Sequence, residues 1–287
     1  MELLQTIIHG VFLGTLYGLF GLGLAFGFGI MRIVNVAQGE FIVLSAYIGL
    51  ALAPFIPVYP MLLVIPVAIV SFGYGYALQG SVLNRVVGKD PMPPLLITFG
   101  ISIILRNLMV ELWSADYRSI NIGKLKFMGF GLMGMRIGVL PLVIMGIVLV
   151  LFLALHLLMT RTRFGRLARA TADDYETIQF FGVDYRKVYC VAMGISAALA
   201  AAAGMLIAMR STFNPFSGVD RLLISFEVVI IGGLGSLWGM IVGGIILGVT
   251  QLVSLQYDPN AGLMYAHLVF FIILMVLPSG LSSWRRR

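Results

Sequence analysis

The sequence predicts an all-α polytopic membrane protein, and three observations support that prediction. Of the 287 residues, 60% are hydrophobic and only 11% are charged, and the mean hydropathy is +1.02, whereas an ordinary soluble domain has about 25% charged residues. Apolar tracts that could cross a ~30 Å bilayer core, which takes about 20 residues, recur along the chain. Ten of the formal charges fall within Thr160–Lys187. We therefore expect one transmembrane domain, residues 1–287, with about eight or nine membrane segments.

Six apolar tracts have the length of regular membrane-spanning helices. They are Thr6–Ile30, Met61–Leu83, Pro94–Leu112, Val139–Met159, Val188–Met209 and Gly262–Leu281. Two further tracts are irregular, because Phe41–Phe55 is short and Leu222–Leu255 is interrupted by glycines. We expect the latter to form two short helices or a re-entrant pair. Since no basic residues accompany Met1, the first tract is expected to be a retained span rather than a cleaved signal peptide.

The basic residues predict how these segments are oriented. Thr160–Lys187 holds six Lys and Arg residues, and Arg285–Arg287 closes the sequence, so both are expected on the cytoplasmic side. Counting spans from these two points places the amino terminus outside. It also places the loop Trp113–Gly138 outside, although that loop holds four basic residues.

Glycines recur at four-residue spacing in both halves of the chain. The series are Gly10, Gly14 and Gly18; Gly23 and Gly27; Gly235, Gly239 and Gly243; and Gly244 and Gly248. This spacing allows another helix to approach the backbone closely. Because transporter folds are often built from two related halves whose broken helices meet near the midplane, the series fit a two-fold internal pseudo-repeat. The general abundance of glycine in membrane helices explains them equally well.

Two irregular segments hold the few polar groups expected at membrane depth. Their members are Asn35, Gln38, Gly39 and Glu40 in the first, and Glu227, Gly232, Gly233, Gly235 and Ser236 in the second. Because a charge in the membrane is costly, Glu40, Glu227 and Arg106 should face a polar cavity or one another. The pattern predicts a path lined by both segments. In the alternative interpretation, Glu40 caps a helix amino terminus and Glu227 pairs with Arg221 or Arg106 to stabilise the fold.

Several functional classes have no signature in the sequence. No Gly-x-x-x-x-Gly-Lys-Ser/Thr loop is present, so nucleotide binding in the P-loop manner is not expected. His9, His156 and His267 are far apart and Cys190 is the only cysteine, which indicates neither a zinc-type metal site nor a catalytic nucleophile. The high isoelectric point comes from membrane-flanking basic residues rather than from a nucleic-acid-binding surface. We expect no enzymatic activity, metal or cofactor on this chain.

The charged segment Thr160–Lys187 predicts a short amphipathic helix that docks onto a soluble partner. Arg163, Arg166 and Arg169 recur every three residues and share one face if the segment is helical. An acidic turn and several apolar residues follow, and Gly182 is placed to end the helix. A groove on a partner can accept such a helix. The alternative is a solvated basic loop that only sets the topology.

Four motifs occur in sequence order along the chain. They are Asn35–Glu40, Arg161–Gly182, Gly232–Ser236 and Leu277–Leu281. Together they resemble the permeases of branched-chain amino acid ATP-binding-cassette (ABC) transporters, and the shorter permease of the high-affinity system in particular. The resemblance covers essentially the whole chain. It implies a multi-pass importer subunit of the bacterial inner membrane, with a second homologous permease, two cytoplasmic ATPases and a periplasmic substrate-binding protein as partners. ATP and Mg²⁺ would be bound by the ATPases.

The resemblance further implies that residues 160–187 form an ATPase-coupling loop. Gly165, Arg166, Arg169, Ala170 and Gly182 match the family pattern, and Arg163, Phe164 and Glu176 lie in the same element. Two positions depart from the pattern. Thr177–Phe181 is bulkier and more aromatic than the small residues expected before the glycine, and Ser279 stands where an arginine is common.

The expected substrate, a branched-chain amino acid, is implied by the resemblance alone. A leucine-like zwitterion needs an apolar wall, donors for its carboxylate and an acceptor for its ammonium group. Glycine-broken helix ends could donate, and Glu40 or Glu227 could accept. Urea, short amides and other amino acids are alternatives within the family. A stand-alone channel or secondary carrier, or an assembly subunit that transports nothing, would be alternatives of another class.

Overall fold

The computed structural model describes residues 2–56, 59–87, 90–132, 135–233, 235–277 and 280–281, and most of them are helical. The helices are α1 (Glu2–Met31), α2 (Gln38–Leu52), α3 (Val64–Ser81), α4 (Met92–Trp113), α5 (Val139–Arg161), α6 (Arg163–Asp173), α7 (Tyr185–Arg210), α8 (Gly218–Gly232), α9 (Leu237–Tyr257) and α10 (Gly262–Val276). Short 3-10 turns lie at Pro60–Leu63, Leu83–Arg85, Gly123–Lys126, Thr177–Phe181 and Pro215–Ser217. Strands β1 (Gly129–Leu132) and β2 (Met135–Gly138) form an antiparallel hairpin.

The prediction of an all-α polytopic membrane protein is confirmed. In the described part of the chain, α1, α3 with its flanking turns, α4, α5, α7 and α9 are long and apolar enough to cross a membrane. Helices α2, α8 and α10 have 15 residues each. Helices α2 and α8 belong to the two tracts expected to be irregular, whereas α10 is shorter than the regular span expected at Gly262–Leu281. The irregular tract Leu222–Leu255 consists of two helices, α8 and α9, which meet at a glycine turn.

The bundle has two ends, which we name by what lies there. Gln5 Nε2 in α1 donates a hydrogen bond to the Arg136 carbonyl of β2 at 3.4 Å, so the start of α1 lies at the same end as the β1–β2 hairpin. We call this end the hairpin side. Helix α6 lies at the opposite end, the α6 side, where Gly280 also packs against Gly233. The loop Trp113–Gly138 is therefore opposite α6, as predicted. Lys89, Leu234, Pro278, Ser279 and Arg285–Arg287 lie outside the described residues.

Helices α1 and α7 form the centre of the bundle. About nine-tenths of the apolar window of α1 and four-fifths of that of α7 are buried, whereas less than a third of each spanning window of α3, α4, α5 and α9 is buried. This contrast follows from the sequence, since the two central helices are rich in glycine and alanine, which allow neighbouring helices to approach on several sides.

Two of the predicted glycine series pack against each other, namely Gly10, Gly14 and Gly18 of α1 and Gly244 and Gly248 of α9. A Cβ atom added to Gly10 would lie 2.6 Å from Val249 Cα, and one added to Gly248 would lie 2.6 Å from the Gly10 carbonyl oxygen. Gly14 meets Gly244 in the same way. The backbones of α1 and α9 are therefore in direct contact, and even a methyl group at these positions would overlap the neighbouring helix.

The helix contacts repeat between the two halves of the chain. Helix α1 packs most extensively on α9, and α7 packs most extensively on α3. Helix α1 also contacts α8, and α7 likewise contacts α2. In the same way α2 contacts α4, and α8 contacts α10. These pairs match if α1–α4 correspond to α7–α10. Because α1 runs towards the α6 side and α7 runs away from it, the two halves are related by an inverted repeat.

Each half contains a break inside the bundle. The chain leaves α1 through Arg32, which has a positive φ of 53°, and re-enters the bundle before α2. Residues 211–217 re-enter in the same way after α7. The starts of α2 and α8 meet, because Gly39 packs directly against the Gly218 carbonyl. Irregular backbone at this depth is tolerated only because protein surrounds it.

A glycine-to-alanine substitution in α1, compared with a control substitution in α5, tests the α1–α9 contact. We expect Gly14→Ala to destabilise the protein by about 1–3 kcal/mol, because the new methyl group would lie 2.5 Å from the Gly244 carbonyl oxygen. The control is Gly146→Ala in α5, where an added Cβ meets nothing within 4 Å and only the helix propensity of alanine acts. Thermal unfolding of both variants in detergent measures the difference. Equal midpoints would contradict the proposed backbone contact.

Candidate functional site

Glu40 and Arg106 form an ion pair where α2 begins. Glu40 is the third residue of α2 and its side chain is 1% exposed, and Arg106 Nη2 of α4 lies 2.5 Å from its Oε1. A Cβ added to Gly218 would lie 3.0 Å from the same carboxylate oxygen, so the pair also contacts the start of α8. Glu40 and Arg106 thus face each other, which is one of the two arrangements expected for them.

Buried amide and hydroxyl groups support the break before α2. Asn35 Oδ1 accepts a hydrogen bond from the Ala37 amide at 3.1 Å, and Ser196 Oγ of α7 donates to the Gly23 carbonyl of α1 at 2.7 Å. Gln38 Oε1 lies 3.4–3.5 Å from Ser196 Oγ and Asn35 Nδ2. These contacts link the irregular segment to both central helices and satisfy part of its backbone.

Glu227 pairs with a residue that the sequence analysis did not select. His267 Nδ1 of α10 lies 2.5 Å from Glu227 Oε1, and the Glu227 side chain is 3% exposed. Neither Arg221 nor Arg106 pairs with it. The Arg221 guanidinium lies instead over the Phe20 ring, 5.9 Å from its centroid. No local pattern could reveal the Glu227–His267 pair, because the two residues are 40 positions apart.

Gly232, Gly233, Gly235 and Ser236 lie between α8 and α9 on the α6 side. Gly232 packs on the Gly239 backbone, Gly233 and Gly235 adopt positive φ angles of 83° and 99°, and the Ser236 hydroxyl accepts a hydrogen bond from the Gly239 amide at 3.0 Å. The glycines therefore allow a tight turn, and Ser236 caps the amino terminus of α9.

A cavity of about 730 Å³ opens beside this turn. Its walls come from α1, α5, α6 and α9, and they include Gly29, His156, Arg169, Ser236 and Trp238. The cavity is mainly apolar, with polar groups from α5 and α6. It brings the second predicted segment close to the charged segment, although the two are more than 60 residues apart in sequence.

The structure thus separates the predicted path residues into three groups. Asn35, Gln38, Gly39 and Glu40 lie together at the start of α2, Glu227 lies against α10, and Gly232, Gly233, Gly235 and Ser236 lie on the α6 side. Only the first group and the start of α8 meet inside the bundle. The role of these residues in a path stays a prediction.

Helix α6 is fastened to the end of α5. The Thr162 hydroxyl caps α6 by accepting a hydrogen bond from the Gly165 amide at 3.1 Å. Gly165 is buried, and a Cβ there would lie 2.5 Å from the Leu158 carbonyl oxygen. Arg169 Nη1 donates a hydrogen bond to the Met159 carbonyl. Gly165 and Arg169 therefore hold α6 against α5.

The expectation that Gly182 ends this helix is wrong. Helix α6 ends at Asp173, and a separate 3-10 turn, Thr177–Phe181, ends at Gly182 with a φ of 76°. Asp174 interrupts the helix because its carboxylate accepts hydrogen bonds from the amides of Glu176 and Thr177 and from the Thr177 hydroxyl. The bonds from Thr177 are the main cause of a lowered pKa of Asp174, because they stabilise its ionised carboxylate.

Exposed aromatic and basic side chains project from this region. Phe180 and Phe181 are 89% and 80% exposed, while the neighbouring Ile178 is buried. Arg163 and Arg166 are exposed on α6. We call Arg163, Arg166, Phe180 and Phe181 the α6 surface. A surface with two adjacent exposed phenylalanines and two arginines is typical of a protein-binding site.

Comparison with known proteins identifies the family. The protein-family model described as the permease component of branched-chain amino acid transport systems matches residues 6–278. The chain belongs to this family. It is a multi-pass membrane protein similar to known transport permeases.

Individual relatives agree with that assignment. The chain is 26% identical to the high-affinity branched-chain amino acid transport system permease protein BraD of Pseudomonas aeruginosa, over 97% of this chain and 95% of that protein. It is 27% identical to LivH of Escherichia coli K12, a permease protein of the same description, over 97% and 94%. It is also 28% identical to the fructose import permease protein FrcC of Rhizobium meliloti, over 76% and 62%.

The Glu40–Arg106 pair can be tested by removing one partner. We expect Glu40→Ala to lower the free energy of unfolding by about 2–3 kcal/mol, because Arg106 would lose its partner inside the membrane. The value is below that for a fully enclosed pair, since 27% of the Arg106 side chain is exposed. Glu111→Ala, at an exposed position of α4, is the matched control. Equal stability of the two variants in detergent would contradict a stabilising pair.

Proposed function

We propose that this protein is the transmembrane permease subunit of an ABC importer that moves branched-chain amino acids into the bacterial cytoplasm. The observation that supports this most directly is the family match across residues 6–278. Relatives such as BraD and LivH, which match nearly end to end, are named as permeases of high-affinity branched-chain amino acid transport. The chain itself would perform no catalysis and hold no cofactor.

The complete importer would contain a second homologous permease, two cytoplasmic ABC ATPases and a periplasmic substrate-binding protein. ATP and Mg²⁺ would be bound by the ATPases, so the energy source would lie outside this chain. The α6 surface supports this assembly, because its exposed phenylalanines and arginines suit a groove on a soluble partner.

In this proposal the protein lies in the inner membrane with the α6 side facing the cytoplasm. The six basic residues of Thr160–Lys187 support that orientation through the positive-inside bias. The amino terminus and the β1–β2 hairpin then face the periplasm, where the binding protein would deliver the substrate.

The fastening of α6 explains how a partner could drive the permease. Gly165 and Arg169 hold α6 to the last turn of α5, and α6 also contacts α1 and α7. A displacement of the α6 surface by closing ATPases would therefore be transmitted to α5 and to the central helices. Rigid-body movement of the two permeases would then give alternating access to the path between them.

A second candidate substrate class also has support. The similarity to a fructose import permease shows that related chains are named for other solutes. Other amino acids, urea, short amides and sugars therefore compete with branched-chain amino acids as substrates of this chain. Uptake measured with each solute and its binding protein decides among them.

The proposal predicts that the exposed aromatic pair holds the ATPases. We expect the double variant Phe180→Ala/Phe181→Ala to lower ATPase recovery with the tagged permease by about tenfold, as expected when two aromatic interface anchors are lost. ATP-dependent leucine uptake by the reconstituted complex with its binding protein should fall in parallel. Phe55→Ala/Phe127→Ala removes two equally exposed phenylalanines near the hairpin side and is the control.

Two results would contradict the proposal. One is full ATPase recovery and uptake by the Phe180→Ala/Phe181→Ala variant, which would exclude this surface as the contact. The other is leucine transport by the purified chain alone without ATP, which would favour a secondary carrier or channel.

A further inference from the structure

One face of α8 carries an exposed carboxylate among apolar side chains. Phe216, Val219 and Leu223 are 52%, 49% and 46% exposed, and Asp220 is exposed between them. Positions three and four residues apart share one side of a helix, so Val219, Asp220 and Leu223 form a continuous surface of α8. Phe216 lies in the 3-10 turn directly before α8 and is included with them. We call this surface the α8 face. Among the described residues, none makes a hydrogen bond or an ion pair with Asp220.

The α8 face begins well inside the bundle. Gly204 of α7 packs against the Ile42 carbonyl of α2, and Gly204 precedes the last residue of α7 by six positions, or about 9 Å. Glu40 lies two residues before Ile42, and it contacts Gly218 at the start of α8. Glu40 and the start of α8 therefore lie roughly 12 Å below the hairpin-side end of α7. Asp220 is the third residue of α8, so it lies at a depth that lipid chains would occupy around a spanning helix.

An unpaired carboxylate exposed at this depth is costly if it faces lipid. In the inverted repeat, the position in α2 that is equivalent to Asp220 of α8 is Glu40. Glu40 is the third residue of α2, as Asp220 is of α8, and Glu40 is buried and paired with Arg106. Asp220 has no such partner. Its carboxylate therefore needs water or a polar partner from outside the chain at this surface.

We propose that the α8 face is this chain's part of the substrate path and that Asp220 receives the ammonium group of an amino-acid zwitterion. Phe216, Val219 and Leu223 form the wall for an apolar side chain. Arg106 is 27% exposed and pairs with the Glu40 carboxylate that the start of α8 contacts, so its guanidinium would attract the substrate carboxylate in the same region. The inference rests on the proposed transport function and assigns its substrate-recognising residue.

The first test uses the complete reconstituted importer with its binding protein. We expect Asp220→Asn to lower the rate of leucine uptake by about tenfold, the effect of losing one hydrogen bond to a charged group. Recovery of the second permease and ATP hydrolysis by the ATPases should remain at wild-type values. Asp220→Glu keeps the charge and should restore part of the uptake. Asp116→Asn, at an exposed position near the hairpin side, is the matched control.

The second test is accessibility, and it does not depend on transport. We expect the thiol of Asp220→Cys in the assembled complex to react with a water-soluble maleimide. The native Cys190 is buried and supplies little background. A thiol that does not react would overturn the proposal, because the α8 face would then contact lipid or be sealed in a dry interface.

Other outcomes are equally decisive. Wild-type uptake by Asp220→Asn would overturn the proposal while leaving the importer function intact. Loss of the second permease from both Asp220→Asn and Asp220→Glu would overturn it in favour of an assembly contact. A wild-type complex that takes up no leucine would contradict the proposed function itself, and the labelling would still decide whether Asp220 faces a water-filled path.

Discussion

The contact between α1 and α9 is the interaction on which the rest of the structure depends. Glycines at four-residue spacing remove the side chains that would hold the two backbones apart, so Gly10 and Gly14 meet Gly244 and Gly248 directly. Lipid chains are as apolar as leucine, and close packing rather than apolar burial must therefore bring helices together here. The same logic applies to α7 and α3, where Gly75 meets Ala197. Both central helices are placed in this way.

The central helices in turn permit the two breaks. Backbone groups that leave a helix inside a membrane need partners, and Asn35 supplies one of them by accepting a hydrogen bond from the Ala37 amide. The starts of α2 and α8 can then meet at depth. This arrangement gathers Glu40, Arg106 and Asp220 into one region. Two of these charges neutralise each other, and the third is left on an open face.

Helix α6 connects this interior to its surroundings. Thr162, Gly165 and Arg169 fix its position on α5, whereas Arg163, Arg166, Phe180 and Phe181 point away from the bundle. Some residues of this segment therefore anchor α6 to α5, and others are exposed at the surface. Phe180 and Phe181, the bulky aromatic residues that distinguish this chain from the expected family pattern, are highly exposed, so the difference lies at the protein surface rather than in the core.

The sequence by itself determined the class of protein and most of its elements. Hydropathy and glycine spacing are local properties, so they predicted the helical spans, the two irregular segments and the close approach of helices. Only the tertiary structure decided which helices approach each other, that His267 rather than Arg221 pairs with Glu227, and that Asp174 ends the helix before Gly182. It also showed that the selected polar residues lie in three places and that Asp220 is exposed. These outcomes depend on contacts between residues far apart in sequence, and local periodicity contains no information on which distant side chains meet.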